Sequence, residues 1–352
     1  MSKQSGNFTD PAGQAAPFSR LLASRALHFA LGLLVSAGLL AYVVSLVEWE
    51  RVVEHLGEIR YWAILPSLLI WFVHMAVRSY RWRFLLPPGE AVPFRRLFDA
   101  FMVGVFATFV LPFRAGEFAR PLYLRRYSQY SFLTCFVSVV VERFFDLATV
   151  LLGFAVMVAF VPDLPPWAAV GAQGLTMLAL VIFIVLLASA FFPGTLSSLY
   201  SWVSRPFPPS LARLGRRILD DLLQGARVLK SPLNLLRVIF LSLAVWGSAF
   251  VCFYVFFFFF RVEPSALAAL SVTVIVALAV AAPSAPGFLG PYEIGCVASF
   301  VLFGLGENLG TAYAIVTHVF QYVVFVLYGL YVLNRDALGV GELKKAEDSG
   351  ES

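Results

Sequence analysis

The sequence predicts an all-α polytopic integral membrane protein, with about six full spans and two re-entrant or broken helices among eight or nine hydrophobic segments. Three observations carry that expectation. Hydrophobic residues make up 60% of the 352 residues and charged residues only 13%, which excludes a soluble globular core. Apolar runs reach the roughly 20 residues that a helix needs to cross hydrocarbon. Two further runs break at proline and glycine and end on a glutamate: Leu111-Pro112-Phe113-Arg114-Ala115-Gly116-Glu117 and Pro286-Gly287-Phe288-Leu289-Gly290-Pro291-Tyr292-Glu293. A break of this kind frees backbone N–H and C=O groups, which hydrocarbon cannot satisfy, so it belongs inside protein or against a wet cavity.

Along the chain, residues 1–25 are polar and rich in small side chains and read as a disordered cytoplasmic segment. The run 26–47 is longer than a signal-peptide core and lacks a small-residue cleavage site, so it reads as an uncleaved first span. An acidic stretch at 48–60, with Glu48, Glu50, Glu54 and Glu58, predicts a short surface helix outside. Spans follow at 61–85, 131–160, 166–192, 238–260 and 311–333, and the runs 97–113, 265–282 and 288–304 are short. Seventeen helical residues cover only about 26 Å. The connection 193–237 places Leu211, Leu214, Ile218 and Leu222 among Arg213, Arg216 and Arg217, the pattern of a basic amphipathic helix at a membrane surface. The Phe256–Phe260 run most simply faces lipid, and residues 336–352 read as a disordered cytoplasmic tail. Together, 26–335 form one transmembrane domain.

The 26 Lys and Arg residues set the orientation. They cluster before the first span, around 78–96, at 114–126, through 193–237 and after 335. If 97–113 crossed fully, the large cluster at 193–237 would lie outside, against the positive-inside rule. Entering from the cytoplasm, turning at Pro112 and returning through Gly116 to Pro121 keeps every large cluster, and both termini, cytoplasmic. The same count makes 265–282 and 288–304 a pair that starts and ends outside, so the two broken elements approach from opposite faces. That is the sense of an inverted repeat, and paired breaks mark transporter binding sites. The formal net charge of +5 therefore reports orientation in the plasma (inner) membrane, not a nucleic-acid partner.

The chemistry concentrates in two places. Glu142, Arg143 and Asp146 sit in the middle of the 131–160 span, where each ionisable group costs roughly 2.5–3.5 kcal/mol on insertion scales. Ser131, Cys135, Ser138, Glu142, Asp146, Thr149 and Gly153 recur at spacings of three and four, a polar stripe that faces protein or water. In the first break Arg114, Glu117 and Arg120 fall within two helical turns, and a guanidinium fork suits phosphate oxygens. A helix opening at Gly116 would add N–H groups that favour an anion. The second break contributes Pro286, Gly287, Gly290 and Glu293. Weaker stripes run through Trp71, His74, Arg78 and Arg81, and through Tyr313, His318, Gln321 and Tyr328. Cys135, Cys252 and Cys296 lack metal-ligand spacing, so no metal or cofactor is expected, nor a catalytic residue.

Arg114-Ala115-Gly116-Glu117 with Arg120, then Val140-Val141-Glu142-Arg143-Phe144-Phe145-Asp146, then the Pro286–Glu293 segment, resemble the signatures of the lysylphosphatidylglycerol synthase transmembrane family, a flippase-like group. The resemblance covers residues 25–335 and implies translocation of a phospholipid or polyprenyl-linked lipid between leaflets. In two-part members this region precedes a soluble domain that transfers lysine from its tRNA, and nothing after Arg335 matches such a domain. Phe288 stands where the family usually has a second glycine, which predicts a less tight or differently aimed turn. The expected substrate contacts are Arg114, Glu117, Arg120, Glu142, Arg143, Asp146 and Glu293, with an anionic phospholipid or polyprenyl-linked lipid as partner. The alternatives are a membrane enzyme acting on a lipid headgroup and a noncatalytic partner of a lipid synthase or glycosyltransferase. Assembly with such an enzyme, or with a second copy, is compatible with either.

Overall fold

The computed structural model describes residues 41–111 apart from 43 and 46, then 114, 116–160, 192–226, 231–263, 265–281 and 284–350, with isolated positions 174, 177, 181 and 184. The expected spans 26–47 and 166–192 lie largely outside the described residues, as do the 1–25 segment and Pro112.

The described residues form helices and no strands: α1 (Trp49–Gly57), α2 (Ile64–Arg83), α3 (Phe94–Val110), α4 (Gly116–Arg125), α5 (Phe132–Phe160), α6 (Pro193–Val203), α7 (Pro209–Ala226), α8 (Pro232–Phe259), α9 (Ala266–Ala279), α10 (Pro291–Leu302) and α11 (Glu307–Gly350). Among them α5, α8 and the first 30 residues of α11 are long and apolar enough to cross a membrane. Starts are marked in the sequence. Pro193, Pro232 and Pro291 open α6, α8 and α10, where the missing N–H costs nothing. Ser231 and Ser265 cap α8 and α9 by accepting from Asn234 N–H (3.4 Å) and Ala268 N–H (3.2 Å).

Two short helical pairs, α3 with α4 and α9 with α10, pack within a frame made by α2, α5, α8 and α11. A polar clasp holds α11 to α3 and α4: Arg335 donates to the buried Asp99 at 2.8 Å, and Tyr127 donates to Asp336 at 2.9 Å. Arg96 lies 3.8 Å over the Tyr127 ring. Past this clasp α11 continues to Gly350.

The phenylalanine run also departs from expectation. Phe256, Phe257, Phe259 and Phe260 are buried and only Phe258 is exposed. Five consecutive residues point all round a helix, so most of the run must meet neighbouring helices once α8 is surrounded. Phe257 stacks on Phe300 of α10 at 5.3 Å, and Tyr313 of α11 donates to the Phe253 carbonyl at 2.7 Å.

Candidate functional site

Both breaks are hairpins held by small residues. A Cβ placed on Gly116 would lie 1.8 Å from the Gly104 carbonyl oxygen, and one on Gly104 would lie 2.8 Å from the Arg120 Cβ. These pairs are centred on the break after Leu111, so α3 and α4 run antiparallel in contact. In the second hairpin a Cβ on Gly295 would lie 2.9 Å from the Val276 Cα, which centres α9 and α10 on Pro286. Here Glu293 accepts the Gly290 N–H at 2.6 Å and meets His318 Nδ1 at 2.5 Å, while His318 Nε2 meets the Gly287 carbonyl at 2.7 Å. A buried carboxylate and imidazole thus satisfy backbone groups that the break frees.

The two hairpins touch tip to tip. Arg114 donates to the Val280 carbonyl at the end of α9 and lies 5.4 Å over the Phe288 ring. Arg114 and Phe288 both hold positive φ, 50° and 63°. The left-handed conformation costs a non-glycine residue roughly 1–2 kcal/mol, and such strain persists where surrounding contacts hold it. The Phe288 ring supplies some of those contacts, meeting Phe109 of α3 at 6.0 Å. So Phe288 takes a backbone conformation that favours glycine and adds a side chain linking the breaks. Tyr322 of α11 joins them a second time, with its hydroxyl 3.1 Å from the Phe109 carbonyl and 3.2 Å from that of Pro286. Its single proton is shared between the two. Replacing it, Tyr322→Phe, is expected to cost about 1 kcal/mol of local stability, read as faster backbone hydrogen exchange at 287–290 than in the parent protein.

A cavity of about 530 Å³ opens beside this junction. Its walls come from α2, α3, α4, α5, α8, α9, α10 and α11, and include Arg114, Gly116 and Phe288 from the two breaks. Part of the lining is apolar, with Phe109, Leu147, Phe253 and Leu278. The rest carries charge, with the Phe101 ring beneath Arg120 and Arg78. Arg81, fully buried, donates to Asp146 at 2.7 Å and to Ser242 at 2.9 Å, and stands 3.2 Å from Glu142. Arg120 reaches Glu142 at 2.7 Å and stacks 3.7 Å over Trp82. Arg78 lies 3.3 Å from Asp146, and Arg143 lies 3.4 Å from Asp146 and 3.6 Å from Glu142. Glu117 stands 3.9 Å from both Arg114 and Arg143. Trp246 donates to Asp146 at 3.3 Å.

Exposure sorts these groups by what each can do. Arg81 and Glu142 side chains are 0% exposed and Arg120 is 4% exposed, so they form the foundation. The Arg143 side chain is 42% exposed and Arg114 35%, leaving donors free to meet a ligand. The structure therefore brings together Arg114, Glu117, Arg120, Glu142, Arg143 and Asp146, with Glu142 behind the cavity wall. Glu293 does not line the cavity and is engaged with the second break. Gly116 opens α4 and lines the cavity, although the next N–H, of Glu117, is already taken by the Arg114 carbonyl at 3.0 Å. His74 packs against α8, with Nδ1 2.9 Å from Ser248. Arg78 and Arg81 carry far more than the weak stripe on which the sequence places them. The signal was two arginines three apart at the end of an apolar helix, whose partners lie 61 or more positions away and only folding reveals.

Comparison with known proteins adds a family. A family model described as the lysylphosphatidylglycerol synthase TM region matches residues 29–329. A UPF0104 membrane protein from Methanothermobacter thermautotrophicus is 27% identical over 300 residues, covering 82% of this chain and 88% of its own. No solved structure matches.

Proposed function

Because the chain belongs to the lysylphosphatidylglycerol synthase TM-region family, a family of multi-pass membrane proteins related to lipid metabolism, we propose that it translocates a phospholipid or polyprenyl-linked lipid between leaflets. The observation that carries this reading is the arginine-lined cavity into which both helix breaks project. Moving a headgroup across hydrocarbon is opposed by desolvation of its charge, and a polar route divides that cost into smaller steps. The headgroup phosphate would meet Arg114 and Arg143 while the acyl or isoprenoid chains lie along Phe109, Phe253 and Leu278. Arg78, held in place by Asp146, would take over next, on the foundation of Arg81, Arg120 and Glu142. The strained contact between Arg114 and Phe288 would let the two hairpins part and rejoin as the headgroup passes. The distribution of basic residues supports a plasma-membrane orientation with both termini cytoplasmic.

Reconstitution into liposomes with labelled lipid tests this. Arg143→Gln is expected to slow translocation at least about tenfold, the effect of ~1.4 kcal/mol on a barrier, with unchanged elution and unfolding behaviour. An unaltered rate, or chemical conversion of the lipid without movement, would sink the transport reading.

A further inference from the structure

Five guanidinium groups, those of Arg78, Arg81, Arg114, Arg120 and Arg143, face three carboxylates, those of Glu117, Glu142 and Asp146. The cluster thus carries a formal excess of two positive charges. Each carboxylate stands within ion-pair distance of two or more arginines, although both Glu142 oxygens, like several of the donors around them, lack a well-aligned hydrogen-bond partner. One donor edge is left over even in the interior: the Nε and Nη2 of Arg120 are buried without a hydrogen-bond partner, in a side chain only 4% exposed. Arg78 and Arg81 likewise keep an unpartnered buried Nε. The most buried cations, Arg81 and Arg120, are paired with Glu142 and Asp146, so the excess falls on the more exposed Arg143 and Arg114 at the cavity, where an anionic ligand would balance it.

On the reading of this cavity as a headgroup site, we infer that its cargo carries a terminal phosphate monoester, a headgroup able to bring two negative charges. A phosphate monoester has three terminal oxygens and a charge near −1.5 to −2 at neutral pH. That matches the excess of two and the surplus of N–H donors. A phosphodiester headgroup brings one charge and two terminal oxygens, leaving one guanidinium unmatched. A zwitterionic headgroup brings no net charge, and a lysine-bearing headgroup, with its added ammonium groups, would place cations against Arg143 and Arg114. The family description names lysylphosphatidylglycerol, and the charge balance of this chain argues for a different cargo. Forked guanidinium groups also read phosphate oxygens in pairs, which a lysine-lined site would not do.

The test is native mass spectrometry of the purified full-length chain in neutral detergent, titrated with dioleoyl phosphatidic acid, dioleoyl phosphatidylglycerol and dioleoyl phosphatidylcholine in equal amounts. Phosphatidic acid is expected to bind at least about tenfold tighter than phosphatidylglycerol, equivalent to ~1.4 kcal/mol, with phosphatidylcholine weakest. Equal retention of the first two, or preference for phosphatidylcholine, would overturn the inference. Arg143→Gln and, separately, Arg114→Gln should bring the ratio towards one. These variants lie at the exposed rim, and a ratio unchanged in both counts against the assignment. Inorganic phosphate distinguishes the source of the dianion. Displacement of phosphatidic acid only at much higher concentration supports a lipid, whereas displacement at equal concentration keeps the dianion site and removes the lipid. A phosphatidic acid preference without movement in liposomes would end the translocation reading and leave this one standing.

Discussion

Glu142→Ala is expected to lower stability by about 3–5 kcal/mol, the cost of leaving a buried charge without its partner. The Glu142 side chain is fully buried and stands within 2.7–3.9 Å of Arg120, Arg81, Arg143 and Arg78. Its removal leaves Arg120, which is almost as buried, with only the Trp82 and Phe101 rings beneath it. The check is the unfolding transition in detergent, together with the yield of monodisperse protein. Glu142→Gln should cost less, since an amide still accepts a hydrogen bond. Adding Arg120→Met to Glu142→Ala should recover part of the loss, because it removes the orphaned cation and keeps its packing volume. A single mutant that unfolds like the parent would mean that the cluster is open to water and adds nothing to the fold.

Gly116→Ala should be comparably damaging for a steric reason. The new Cβ would fall 1.8 Å from a backbone carbonyl oxygen and 2.0 Å from Thr108 Oγ1. Backbone cannot rotate away as a side chain can, so α3 and α4 must separate. Overpacking of this kind costs typically about 1–3 kcal/mol and occasionally more. The separation would also shift Arg114 and Arg120, which flank the glycine, so translocation should fall more than stability alone accounts for. Gly247→Ala provides the opposite control. Its Cβ would meet nothing within 4 Å in the middle of α8, and alanine there should stabilise by up to about 1 kcal/mol. If both substitutions behave alike, the tight hairpin is wrong.

How much of this was legible in the sequence depends on the range of the interaction. The start of the 265–282 run was readable, and Ser265 caps α9 there within a turn, whereas the runs read from 238 and 288 begin as helices at Pro232 and Pro291. The stripe through Ser138, Glu142 and Asp146 was readable too, since helical spacing alone puts these residues on one face, and all three are buried. Glu293 was harder. Its position three residues after Gly290 is a local capping geometry, yet the proximity to the break made it resemble a ligand contact. The Phe256–Phe260 run was misread for a related reason: hydrophobicity is shared by lipid-facing and buried residues, and composition does not separate them.

By itself the sequence determined that this chain is a helical, multi-pass membrane protein, where its helices break, and which three motifs place it in its family, because hydropathy, proline and glycine act through neighbours along the chain. Only the tertiary structure decided that the two breaks meet, that Arg78 and Arg81 join Glu142 and Asp146, and that Phe288 bridges to Arg114. Those contacts join residues 61–174 positions apart. Charge pairing at such separations depends on which helix faces pack together, and that is set by the whole bundle at once.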